Sequence, residues 1–195
     1  MTSLIAVLED LVIAEFGHRD LNELRRHLAP SDEEMSTVLR ARQLLEILAR
    51  VQRKKPQQVY TWAGTRLVAR MLDGTPTVTS GHTSVGTVLL QLNQLVPRIL
   101  GEQLPDSACP EFWGDLMGAD AVRVGFDGDE EVAWVLEGAV QALAMHFGEE
   151  VEITRPMARP TLPDRRLMDV RRTAKTRPLR RTLTPAGLSS AGLRG

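Results

Sequence analysis

The period of the apolar pattern changes once along this chain, and that change constrains the fold more than any single motif. Up to about residue 100 the large apolar residues recur every three or four positions, whereas Val122, Val124 and Phe126 alternate. A spacing of 3.6 marks one face of a helix, and a spacing of 2 marks one face of a strand. Ser3 to Phe16 carries Leu4, Val7, Leu8, Leu11 and Val12 at helical spacing, with Gly17 as a stop. Asp20 is a candidate N-cap for a second helix carrying Leu21, Leu24 and Leu28 and ending before Pro30. Ser31 and Glu34 have the capping-box spacing for a third helix that runs to about Gln52. Pro56 opens a fourth, with Val59, Trp62, Leu67, Val68 and Leu72, closed by Gly74. Thr75 to His82 reads as loop. A fifth helix starts near Thr83 and runs to Leu100; Pro97 must kink or locally open it, because proline lacks a donor and crowds the preceding turn.

Beyond Pro105 the elements are shorter. Pro110 to Met117 reads as a short helix, and Val122 to Phe126 as a half-buried strand. Asp129 can cap a long helix carrying Val132, Val135, Leu136, Val140, Leu143 and Phe147, ended by Gly148. Val151 with Ile153 predicts a second strand, and Leu167 with Val170 a third. The fold class is therefore α+β: a helical N-terminal half followed by a small antiparallel sheet with a packed helix.

A chain of 195 residues suits one domain, placed here at residues 1–171. After Asp169 there are seven Arg or Lys and no acid, which leaves −8 on the rest of a chain whose net charge is −1. Residues 172–195 are expected to form a basic, disordered tail. An acidic body does not suit nucleic acid, and no run of about 18 apolar residues predicts a membrane span or signal peptide, so a cytoplasmic protein is expected. Cys109 is the single cysteine, and His18, His27, His82 and His146 show no metal-binding spacing. Neither a phosphate-binding glycine loop nor a nucleophile elbow is present, and no catalytic role is expected.

Several segments resemble the heme-NO/oxygen-binding (H-NOX) family, the sensor domains of soluble guanylate cyclases and of small bacterial proteins. Leu8-Glu9-Asp10-Leu11-Val12, with Glu15-Phe16-Gly17 behind it, is similar to the family's first helix. Trp62-Ala63-Gly64-Thr65-Arg66-Leu67 is similar to the helix that precedes the distal wall of its heme pocket, and Cys109-Pro110-Glu111-Phe112 to the turn after its heme-ligating helix. Glu137-Gly138 and Phe147-Gly148 continue the pattern. The resemblance implies a heme cofactor, no enzymatic activity, and a signalling partner such as a histidine kinase, a cyclase or a chemoreceptor. It places pocket positions at Trp62, Pro97, Cys109, Pro110, Phe112, Phe126, Gly128 and Glu130.

Two of the family's motifs depart. Pro97 stands where the resemblance puts the histidine that ligates iron, and proline has no lone pair to give. Phe126-Asp127-Gly128-Asp129-Glu130 stands where the family's Tyr-x-Ser-x-Arg holds the heme propionates. Carboxylates would there face carboxylates. Ordinary heme ligation is thus expected to be lost, and no cofactor is assigned. A functional heme sensor with unusual ligation, for example by Cys109, and a plain interaction module using the basic tail remain open. His82 lies fifteen residues before Pro97, about 22 Å along a helix, too far to replace it. His146 suits a helix C-terminus. Trp62, Trp113, Trp134 and Phe126 read as core residues or as the lining of a cavity. Asp127, Asp129, Glu130 and Glu131 read as a helix-opening turn or as a cation site.

Overall fold

Ser3 starts α1 (Leu4–Phe16): its hydroxyl accepts the Ala6 N–H at 3.3 Å in the computed structural model, which describes residues 3–28, 36–74, 79–100, 110–156 and 165–175. Gly17, at φ 90°, breaks the helix in a conformation that side-chain-bearing residues resist, and α2 (His18–His27) begins at once. Asp20 therefore lies inside the first turn and is not the predicted cap. Acids are favoured in a first turn, and its carboxylate accepts Gln52 Nε2 at 2.6 Å, tying α2 to the end of the third helix. The predicted Ser31–Glu34 box falls outside the described residues; α3 (Thr37–Val51) is capped by Ser36. Pro56 opens α4 (Pro56–Gly74) as its fixed φ favours. The apolar faces of these four helices close one core, with Leu8, Leu24, Leu44, Leu48, Val59 and Ala63 at its centre.

The predicted fifth helix is two, α5 (Val85–Leu89) and α6 (Leu92–Leu100). The interruption lies at Leu90 and Gln91, upstream of Pro97, which sits inside α6. It falls where β1 (Phe112–Gly118) crosses. A methyl group at Gly114 would come within 2.9 Å of the Leu89 carbonyl, so strand and helix end are in backbone contact.

That strand replaces the short helix predicted for Pro110 to Met117. Its antiparallel partner β2 (Ala121–Asp127) supplies the backbone ladder, and Trp113 lies opposite Gly125, whose missing side chain makes room for the indole. Asp129 caps α7 (Glu130–Phe147), accepting the Val132 N–H at 3.4 Å, and left-handed Gly148 at φ 61° ends it. β3 (Glu149–Thr154) and β4 (Arg165–Lys175) complete a fully antiparallel sheet of order β1-β2-β4-β3. The α+β architecture is the expected one. β4 runs through Lys175, so Arg172 to Lys175, assigned to the tail from sequence, are strand, and residues 176–195 lie outside the described ones.

A second core lies between sheet, α7 and α5, around Leu89, Val124, Phe126, Val140 and Met168. The two cores join along α4 and α7. Val68 and Leu72 of α4 reach the sheet-side core, and Trp134 and Val135 of α7 reach the helical one. Two glycines permit the close approach: a methyl at Gly64 would overlap the Val135 carbonyl, and one at Gly138 the Thr61 carbonyl. The Thr65 hydroxyl lies 2.9 Å from the Thr61 carbonyl and 3.1 Å from that of Gly138, across the seam. Among the described residues no helix is long and apolar enough to cross a membrane.

Candidate functional site

The described residues among those singled out in the sequence are distributed over both cores, the exposed side of α6 and one surface turn. Pro97 lies on the exposed side of α6, whose Leu92 and Leu95 are buried. Cys109 is outside the described residues, and Pro110 is half-buried just before β1. Phe112 and Phe126 face each other across β1 and β2 with ring centroids 6.1 Å apart, and Phe126 is among the most deeply buried side chains. Trp62 belongs to the helical side, where its ring meets Phe16 at 5.1 Å and its buried Nε1 has no hydrogen-bond partner. Trp134 packs at 5.9 Å from Tyr60. Phe126, Trp62 and Trp134 thus belong to the apolar packing of the two cores, and Trp113 covers Gly125 on the sheet.

Gly128 and Glu130 meet through Arg166, a residue that the sequence did not point to. Glu130 opens α7, and its two carboxylate oxygens accept Arg155 Nη1 at 2.6 Å and Arg166 Nη1 at 2.5 Å. Arg166 also donates from Nε to the Gly128 carbonyl at 3.0 Å, and the other arm of Arg155 reaches Glu137. On the other side of the turn, Arg42 of α3 donates to Asp129 at 2.8 Å and Glu131 at 2.6 Å, and contacts Glu46 at 3.4 Å. Asp129, Glu130 and Glu131 therefore form a helix-opening turn paired with three arginines, from α3, the residue after β3, and β4. Local spacing could not have found partners 25 to 89 residues away. The available signal was chemical: carboxylates clustered at a folded turn require cations.

These pairs are partly exposed, so each contributes about 0–1 kcal/mol, and their role is more in orientation than in stability. Burial works against the charge on Arg42, but Glu131 and Asp129 outweigh it and raise its pKa. The Tyr60 phenol is pushed up, first by burial and then by Glu46 and Glu131, so it remains a neutral donor whose hydroxyl lies 3.4 Å from the Arg42 carbonyl. Elsewhere, His146 sits in the last turn of α7 against Phe147, as the helix dipole favours. Among the described residues no three His, Cys, Asp or Glu side chains gather as a metal-ligand group.

A concave region lies at the opposite, Ala121 end of β2. It is a cleft of about 130 Å³ between α5 and the sheet, lined by Leu90, Val122, Val151, Val170, Glu149 and Arg172 among others.

The sequence matches no protein-family model, and no curated protein aligns with it significantly. Solved structures do match. An H-NOX protein from S. oneidensis in its Fe(II)NO ligation state superposes with a TM-score of 0.73 at 17% identity, over 87% of this chain and 97% of that one. An alanine-to-glycine variant of an Fe(II) unliganded H-NOX protein from K. algicida gives 0.73 at 14% identity, over 87% and 95%. An oxygen-binding H-NOX domain related to soluble guanylate cyclases gives 0.71 at 10% identity, over 90% and 97%. The fold of this chain is the H-NOX fold.

Proposed function

We propose that this chain is a cytoplasmic regulatory domain that keeps the sensor fold without ordinary heme ligation and acts by contact with a signalling protein. Its partner, by the resemblance, is a kinase, a cyclase or a chemoreceptor, and it is not itself an enzyme. The observation that carries the reading is Glu130. At the position that resemblance gives to a propionate-binding guanidinium stands a carboxylate, already held by Arg155 and Arg166. A heme propionate would have to displace Glu130 from both arginines and then lie beside it as a like charge. Pro97 adds to this, since its ring nitrogen is an amide without a free lone pair and gives iron no donor. The residues at these two positions do not fit a heme bound in the family's manner.

A sensor of this fold works by biasing a partner between two arrangements. The surface available for that contact here is set by protein residues: the α7 turn, α6 with its exposed Pro97, and the outer strands. The test is an absorption spectrum of the full chain produced with ample heme. The expected result is no stoichiometric Soret band. A stoichiometric band that responds to nitric oxide would overturn the reading, and its loss in Cys109→Ser would assign the iron ligand to the thiolate.

A further inference from the structure

The cleft at the Ala121 end of β2 takes no part in the function proposed above, and its walls define what it can hold. It measures about 130 Å³, with Val122, Val151 and Val170 from three strands as an apolar floor and Leu90 on its helix side. A cavity of about 150 Å³ takes one benzene-sized molecule, whereas cofactor sites run to about 300–1,000 Å³. Leu116 of the edge strand β1 also lines it and is 67% exposed, so a ligand there would cover an apolar side chain that now meets water. The rim is a closed ion pair of Arg172 with Asp120. Beneath it the Glu149 side chain is only 1% exposed; its Oε2 accepts the Val85 N–H at 3.0 Å, and its Oε1 lies 3.5 Å from Arg172.

These charges select against an ionised ligand. An anion would lie against the buried Glu149 carboxylate, a cation against the Arg172 guanidinium, and either would have to leave water to reach the valines. A neutral molecule avoids all three costs, and a carboxylate with about four lone-pair sites still has room to accept from its hydroxyl. Gly86 keeps the space open. It lies inside α5 and lines the cleft, and its backbone is not among the left-handed positions that call for glycine. Alanine is the better helix former, but a methyl group at Gly86 would meet Cγ2 of Val122, the floor of the cleft, at 3.3 Å. The missing side chain thus serves the gap between helix and sheet and not the backbone.

We propose that this cleft binds a small uncharged molecule, a single ring or a branched alkyl body with at most one hydroxyl. Its apolar part rests on the three valines, and its hydroxyl points towards Glu149. The site is separate from the α7 turn and does not depend on whether the chain holds heme.

Amide spectra of the isotope-labelled full chain, titrated with phenol, test this. The expected result is a set of saturable shifts at Gly86, Leu90, Val122 and Val151, half-complete at about 1–10 mM, as suits so small a ligand. Benzoate and benzylamine, of similar size but charged, should bind about tenfold more weakly. Gly86→Ala should weaken phenol binding about tenfold without lowering the melting temperature. Leu116→Asp, at an exposed position, should weaken it severalfold, and Leu39→Asp on α3 should leave it unchanged. Shifts that do not saturate, shifts spread over both cores, or benzoate bound as tightly as phenol would each overturn the proposal. So would phenol binding that neither Gly86→Ala nor Leu116→Asp reduces; should Gly86→Ala melt lower than the parent, Leu116→Asp alone decides.

Discussion

Gly64 of α4 and Gly138 of α7 each lie against the other helix's backbone, the first under the Val135 carbonyl and the second under that of Thr61. A Cβ at either would overlap backbone, which cannot swing aside as a side-chain tip can, and the seam joining the two cores would have to open. Gly64→Ala and Gly138→Ala should therefore each destabilise by about 1–3 kcal/mol, the usual cost of overpacking. Gly74→Ala, at a site with open space around it, should change stability by no more than about 0.5 kcal/mol. Urea unfolding of the three variants checks this; equal effects at all three would mean that the seam relaxes freely around an added methyl group.

Arg123 and Asp169, paired across β2 and β4, make two parallel hydrogen bonds of 2.6 and 2.7 Å. The hydrogen bonds from Arg123 hold the Asp169 carboxyl below its ordinary pKa, against the opposing effect of burial. A folded-state pKa below the unfolded one means stability that is present above the unfolded value, about 3.9, and is lost as pH falls through the folded value. Asp169→Asn should flatten the acid limb of a stability-against-pH curve below about pH 4 and leave its shape near neutrality unchanged. Acid titration followed by circular dichroism would show this, and an acid limb identical to that of the parent would remove Asp169 from its cause.

The legible part of the fold is the part set by local chemistry. Ser3, Pro56, Asp129 and Gly148 bound helices as their side chains or missing side chains dictate. Asp20 misled because a competent cap also suits a first turn, and the adjacent Gly17 had already broken the chain. β1 reads as a helix because its burial does not alternate: its first residues are half-buried and its last are exposed, as befits an edge strand. Only its pairing with β2, a tertiary fact, makes it a strand. The candidate site followed the same rule. Glu130 and its neighbours were visible as an acidic turn, but Arg42, Arg155 and Arg166 reach it only through the fold.

Glu149 is the one buried charged residue among those described, and it caps α5 from another element by accepting the Val85 N–H. Removing it leaves a buried donor unsatisfied at a short helix and takes a partner from Arg172. Glu149→Ala should cost about 1–3 kcal/mol, whereas Glu149→Gln, which retains an acceptor oxygen, should cost less. Thermal unfolding of both separates the hydrogen bond from the charge. A Gln variant as unstable as the Ala variant would assign the effect to the ion pair with Arg172.

Pro97 and Glu130 are where the proposed loss of heme ligation is reversible by design. Pro97→His replaces an exposed proline inside α6, restoring a backbone donor as well as an imidazole, so the helix should be stabilised. This variant is expected to gain a hemin-dependent Soret band that the parent lacks. Glu130→Arg acts at the other end of the ligand: it leaves three guanidiniums, Arg155 and Arg166 included, where one carboxylate now joins two. That cluster should be less stable without an anion and should bind propionates once iron is held. The double variant is therefore expected to bind hemin about tenfold more tightly than Pro97→His alone, the worth of about 1.4 kcal/mol from one charge-assisted contact. Hemin titration at fixed ionic strength measures both. Equal affinities would mean that Glu130 is only a surface ion-pair partner, and no band in either variant would place the loss in the packing of the two cores as well as in these two residues.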